Sequence, residues 1–501
     1  MKRRSFIRTG AAAALGTAIP MPVLSMSTVP YRSLRQDQDV VAVTGDGREV
    51  VLRGSAIREL DDRLLGRVLL ANRDGYDEAR RVLNPSFDRH PALIAQVTGI
   101  ADIRLAVDFA REHSLLLAVK CGGHSASGKS TCDRGMMIDL SPFRGVHIDP
   151  AARRARVTGG SLLGQLDHDA MAFDLVTTMG TVSHTGVGGL VTGGGFGRVG
   201  RRFGLAIDNL VSVDVVSADG QLRHASAEQE PDLFWGVRGG GGNFGIVTSF
   251  EFQLHPMQRQ VIGGAIVYPI ARAKEALAIY ADYLPQAPDE LDLDPFMSLP
   301  GGNEPGVVGF SVCWSGPAGE AERALAPIRR LGTPLADVQA MDYVALQKSG
   351  DISDPRARAG YLKSGFLPAL PPDLITALVE GFEGHPTRST IMFIQPGGGA
   401  IGRVSNEATA FSHRDALGNL GVGVDWPVGD DPDMHVAWIR DFWTRIEPFT
   451  RGFYSNDGAP DMYTESAVTR NYRGNLERLV GIKRRYDPDN LFRLNANIQP
   501  G

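Results

Sequence analysis

The chain has 501 residues, 43% hydrophobic and 22% charged, with a formal net charge of −5. That length predicts two or three domains rather than one core. The lack of clustered Lys and Arg argues against a nucleic-acid partner, which needs such clusters to bind phosphate. Three cysteines, Cys121, Cys132 and Cys313, with no CxxC spacing argue against a disulfide framework. A Cys121–Cys132 bridge stays open.

Residues 1–30 carry Arg3 and Arg4, then Phe6, Ile7 and Arg8, then an apolar run from Ala11 that breaks at Pro20. The run is shorter than the roughly 20 residues of a membrane span and has the pattern of a twin-arginine export signal. The expectation is an exported protein, periplasmic or extracellular, with no membrane span in its mature form. A general secretory signal or an uncleaved anchor is the alternative. Residues 31–85 read as an N-terminal extension.

From 86 to 257 short strands and helices alternate. Ile103, Ala106, Val107, Phe109 and Ala110 follow helical spacing. Leu115–Val119 reads as a buried strand, and the loop Cys121–Ser125 follows it. Residues 136–140 and 152–160 read as further strands, and residues 161–173 as a helix with Ser161 as N-cap. Nine glycines then fall between Gly186 and Gly204. Strand patterns follow in 210–220 and 244–254, with a second glycine cluster at Arg238–Gly242 between them. After Pro256 the pattern becomes that of an α+β domain with an antiparallel sheet. A helix over 471–488 and an Asn-rich tail close the chain.

The run Gly195–Gly200 is a literal G-x-G-x-x-G, with Asp214 further on, as in a dinucleotide fingerprint. The residues before it, TVSHTGVGGLVTGG, are too rich in glycine to be the strand that fingerprint requires. Side-chain-free turns of this kind suit another task. Successive backbone N–H groups form an anion nest, and a flat ring lies directly on the main chain. A lone His124 on the turn KCGGHSASG has three possible uses: metal ligand, catalytic base, or a point of covalent attachment.

KCGGHSASG, HTGVGGLVTGGGFG and the tail YRGNLERLVGIKRRYDPDNLFRLNANIQP together resemble the berberine-bridge-enzyme-like FAD-linked oxidoreductases, from about residue 70 onward. The resemblance implies an α+β fold: a two-part FAD-binding domain of the vanillyl-alcohol-oxidase (VAO, or PCMH) type, 86–257, and an α+β substrate domain with an antiparallel sheet, 258–455. A berberine-like C-terminal segment, 456–501, returns to the first.

By the same resemblance, His124 matches the histidine bonded to the 8α-methyl carbon of FAD. Val182 stands where many members have a second attachment cysteine, so one covalent bond is expected. Gly122, Gly123, Ser125, Ser183, His184, Gly188, Gly189, Gly194 and Gly195 are implied cofactor contacts. Ile246 and Val247 would meet the adenine end, and Tyr472, Asn475, Asn495 and Asn497 would close over the flavin.

The implied reaction is oxidation of an alcohol or amine by hydride transfer to FAD, with O2 as acceptor giving H2O2. Thr185, just before GVGG, favours an oxidase over a dehydrogenase. The family's Y-x-N-Y motif reads Tyr454-Ser455-Asn456-Asp457 here, and Ala126 replaces a common active-site tyrosine. Candidate bases are Tyr454 and Asp457, with His184 behind them. Phe296, Trp314, Tyr361, Phe366, Phe393 and Trp426 are candidate wall residues for a small-molecule substrate: a sugar, an aromatic alcohol or a natural product. The rival readings are an NAD(P)-dependent dehydrogenase built on Gly195–Gly200 and a catalytically silent FAD-binding protein.

Overall fold

A computed structural model describes residues 38–501 apart from 353–355, 386 and 388. The expected export signal lies outside the described residues. Among them no helix is long and apolar enough to cross a membrane.

The first layer is a four-stranded sheet in the order Arg67–Leu69, Leu93–Gln96, Met136–Asp139, Leu117–Lys120. Its last two pairings are parallel. Helix Ile100–Glu112 makes the crossover and buries Ile103, Ala106, Val107 and Ala110 against the sheet. A parallel sheet is covered on both faces, so Leu93–Ala95 and Met136–Ile138 are unbroken apolar runs. Within the expected N-terminal extension, described residues from 38 onward join this layer. Strand Arg67–Leu69 pairs with Leu93–Gln96, and Ala42, Leu52 and Ile57 share the core of Val107 and Ile138.

The second layer is a five-stranded antiparallel sheet, ordered Leu222–Ser226, Leu210–Val216, Ile246–Gln253, Arg154–Thr158, Val146–Asp149. Val213, Val215, Phe250 and Phe252 bury one face against helix Pro231–Val237 and tail helix Leu476–Tyr486. The tail is clamped by Lys483, which is fully buried. Its Nζ donates to Asp487 Oδ2 at 2.6 Å, Asn243 O at 2.9 Å and Phe492 O at 3.0 Å, using all three donors.

The substrate lobe is a seven-stranded antiparallel sheet running Gln339–Asp342, Gln260–Pro269, Val307–Trp314, Leu291–Leu299, Thr390–Pro396, Gly418–Pro427, Arg358–Leu367. Helices Ala273–Tyr283, Ala321–Arg329, Pro372–Phe382 and Asp433–Ile446 bury the face bearing Leu293, Phe310, Met392 and Val422. The two lobes are tied by Arg414, whose guanidinium is bidentate on Asp208 at 2.6 and 2.7 Å.

Several local expectations change. The helix after residue 160 spans Leu163–Met171, and Leu162 is its N-cap, its N–H bonded to Gln165 Oε1 at 2.9 Å. Ser161 Oγ instead accepts from the Gly145 N–H at 3.0 Å. The closing helix is two, Glu465–Tyr472 and Leu476–Tyr486, broken at Arg473 with φ 49°. The chain enters Gly195–Gly200 from helix Val187–Thr192, not from a strand, and Asp214 is paired to Arg156 and His224. No dinucleotide fingerprint is formed. All three cysteines are free thiols.

Candidate active site

Strand Leu117–Lys120 delivers the Cys121–His124 turn to the edge of a cavity of about 380 Å³. The turn needs glycine for space. A Cβ on Gly122 would lie 2.3 Å from Gly186 N, and one on Gly186 would lie 2.3 Å from Gly122 N and 2.4 Å from Cys121 Sγ. Two glycine turns 64 positions apart therefore meet main chain to main chain. That contact brings Cys121 and His124 to the wall formed by Thr181, Val182, Thr185, Gly186, Gly188 and Gly189. Gly123, at φ 71°, has the left-handed conformation glycine adopts without cost.

His124 lines the cavity with both ring nitrogens engaged. Nε2 is 2.7 Å from His184 Nδ1, and Nδ1 is 3.2 Å from Thr185 Oγ1. Burial, then the neighbouring His184 ring, pushes its pKa down to about 4. At neutral pH it is an uncharged imidazole, the nucleophilic form.

Three features fit the cavity to a flat ring with a diphosphate. A Cβ built on Gly189, Gly241 or Gly242 would meet no protein atom within 4 Å, and all three line the cavity. Ser130 Oγ and Asn495 Oδ1 are buried on its wall without a protein partner. Among the charged residue types only Asp457 and Lys129 line it, so no acidic group opposes a phosphate except Asp457.

Asp457 comes from the segment after the substrate lobe. Its Oδ2 accepts from Asn419 Nδ2 at 3.0 Å, and the same Nδ2 donates to Gln395 Oε1 at 2.8 Å. Burial pushes its carboxyl up to about 7, with the Asn419 bond opposing. A carboxylate half-protonated near neutrality is suited to general-base work. Tyr463 stands beside it, its hydroxyl donating to Ser455 O at 2.7 Å.

A family model described as FAD binding domain matches residues 91–226, and one described as berberine and berberine like matches 453–499. An FAD-linked oxidoreductase of Dictyostelium discoideum is 31% identical over 437 residues, 85% of this chain and 94% of that protein. The chain belongs to the berberine-like FAD-linked oxidoreductases. The solved structure of 6-hydroxy-D-nicotine oxidase from Arthrobacter nicotinovorans matches this berberine-like chain with a TM-score of 0.78 and 29% identity, covering 87% of it and 98% of the oxidase. Xylooligosaccharide oxidase from Myceliophthora thermophila, solved with xylobiose, matches with a TM-score of 0.79 and 28% identity, covering 89% and 99%. The α+β VAO-type fold and an FAD-dependent oxidoreductase follow.

Of the residues expected at this berberine-like site, Gly122, Gly123, His124, Ser125, Gly188, Gly189, Ile246, Val247, Asn495 and Asp457 line the cavity. Ser183 and His184 stand behind the wall. Ser183 bonds Asp351 through N–H and Oγ at 2.7 and 2.6 Å, and His184 backs His124. Tyr454 is not on the wall either. Its hydroxyl accepts from the Gly195 N–H at 2.9 Å and from Asn456 Nδ2 at 2.8 Å, and burial holds its pKa above the usual phenol value. Both bonds occupy that oxygen and tie it to the glycine run. Gly194 and Gly195 pack against Phe411 and Ala206. Asn475 clasps the carbonyls of Asn406 and Thr409. Tyr472 lies under Gly240 and Ala496, and Asn497 is off the wall.

The six candidate wall aromatics are elsewhere. Trp314 and Trp426 fill the substrate-lobe core, Phe366 packs on Phe196 and Phe411, and neither Phe296, Tyr361 nor Phe393 reaches this cavity. Phe196, Tyr463 and Phe492 line it instead. Cys121 is also on the wall, its thiol pushed up to about 11 by burial. Among the described residues no group of His, Cys, Asp and Glu could hold a metal ion.

Proposed function

We propose that this protein is an oxidase of a small alcohol or amine, with FAD anchored by one covalent bond to His124 and Asp457 as the base. The observation that carries the reading is the pairing, in one cavity, of a neutral imidazole and a carboxyl pushed up to about 7. FAD, when bound, supplies the hydride acceptor and passes the electrons to O2.

The chain's own groups do the rest. Asp457 takes the O–H or N–H proton of the substrate, and Asn419 fixes its orientation through Oδ2. Bare main chain at Gly189, Gly241 and Gly242 leaves room for the cofactor, and Ser130 and Asn495 hold unused hydrogen-bonding capacity toward it. Val182 on the wall supplies no sulfur for a second bond. Thr185, also on the wall, is small enough to leave a path for O2. The two solved structures described above are oxidases, which supports O2 as acceptor.

Mixing the yellow protein anaerobically with a panel of alcohols and amines, then admitting air, tests this. Bleaching followed by recovery of colour and one hydrogen peroxide per turnover is expected. Bleaching that air does not reverse would leave a dehydrogenase.

A further inference from the structure

The cavity holds one cation, Lys129, with no partner among the described residues. Lys129 lines the wall five residues after His124. Its Nζ lies 4.6 Å over the centroid of the Tyr463 ring. Among the described residues the ammonium makes no hydrogen bond and no ion pair. Arg89, the charged group that bears on it, has the same sign and is committed to the carbonyls of Gly128 and Thr131 at 3.0 Å each. Desolvation first, and Arg89 second, lower the Lys129 pKa to about 8, so it is cationic at neutral pH. A half-buried cation without a counter-ion is costly unless a ligand supplies the charge.

The direction of the side chain indicates which ligand. The glycines with open space in front of them, Gly189, Gly241 and Gly242, belong to other loops. Lys129 instead reaches to Tyr463, whose hydroxyl is bonded to Ser455 O, two residues before Asp457. The ammonium therefore stands at the wall that also carries the proposed base. A cation–π contact over Tyr463 holds it there while leaving its three N–H donors free.

We propose that the substrate is an organic anion, bound through a carboxylate on Lys129 while its alcohol or amine carbon is oxidised beside Asp457. This rests on the flavin-oxidase reading and names the substrate class for it.

The test uses the holoprotein and its visible spectrum. Benzoate and gluconate serve as aromatic and polyhydroxy carboxylates, with benzamide and glucose as neutral counterparts. At least one carboxylate should shift the flavin spectrum saturably, with its neutral counterpart binding at least about tenfold more weakly. Lys129→Gln should weaken the carboxylate by about the same factor at unchanged flavin content, and Lys129→Arg should keep it. The proposal is overturned if neither carboxylate binds, if the neutral compounds bind equally, or if Lys129→Gln binds the anion as wild type does. It is also overturned if Lys129→Gln sheds flavin, because the ammonium then serves the cofactor's diphosphate. A colourless wild-type protein would instead sink the oxidase reading itself.

Discussion

His184 Nδ1 lies 2.7 Å from His124 Nε2, and the backbone N–H of Ile352 donates to the other nitrogen of His184 at 3.3 Å. Because Ile352 supplies the proton on that side, neutral His184 carries its own proton on Nδ1 and donates it to His124. The tautomer of each ring is thus set by the peptide behind it. The bond from His184 and the contact of His124 Nδ1 with Thr185 Oγ1 fix the orientation of the His124 ring. His184→Ala should still bind FAD but incorporate it covalently at least about tenfold more slowly, since the bond from His184 holds the His124 ring in place for attack. A time course of acid-stable flavin in reconstituted apoprotein measures this; an unchanged rate would reduce His184 to packing.

Asp457→Asn should lower kcat/KM by about 10²–10⁴ without loss of flavin. In the wild type, kcat/KM should rise as pH passes through about 7. The stability sign is the opposite. Native Asp457 holds its proton more tightly than the unfolded chain does, so stability falls as pH climbs from the unfolded carboxyl pKa to about 7. Apoprotein carrying Asp457→Asn should therefore gain on wild type in melting temperature between about pH 4 and about pH 8. A constant difference would place the charge elsewhere.

The open glycines separate binding from folding. Gly189→Ala and Gly242→Ala place a Cβ only in empty space, so apoprotein melting should be unchanged while FAD affinity falls by at least about tenfold. Gly122→Ala drives a Cβ into Gly186 N and should destabilise the fold by about 1–3 kcal/mol. Thermal melts and flavin titration of the three proteins would distinguish these classes.

Arg414 and Asp208 join the two lobes with side chains only 2% and 10% exposed. Arg414→Ala leaves a buried carboxylate uncompensated and should cost about 3–5 kcal/mol in denaturant unfolding. Arg414→Ala with Asp208→Asn should recover part of that loss; equal destabilisation would mean that packing against Phe411, not charge, dominates.

Much of this was legible from local chemistry. The Gly-Gly-His turn announced itself because two adjacent glycines before a histidine have no use in a strand or helix. The apolar runs at 93–95 and 136–138 carried the buried sheet. What stayed hidden depends on distant segments meeting. Tyr454 looks like a base in its motif, and only the fold shows Gly195 and Asn456 occupying its oxygen. The approach of Cys121 to Gly186 was invisible because the two are far apart along the chain, yet a Cβ on Gly186 would lie 2.4 Å from Cys121 Sγ. Residues 38–69 gave no sign that their strand completes the first sheet, because three-residue edge strands carry almost no period. Lys129 had no signal beyond its distance from His124, since an unpaired charge exists only relative to its neighbours.

The central claim is attachment of the cofactor at His124. Trichloroacetic acid precipitation of the purified protein and of His124→Ala tests it directly. The wild type should give a yellow pellet, and the variant a colourless pellet with free pigment, or none. Pigment released entirely from the wild type, or retained equally in the His124→Ala pellet, would contradict it.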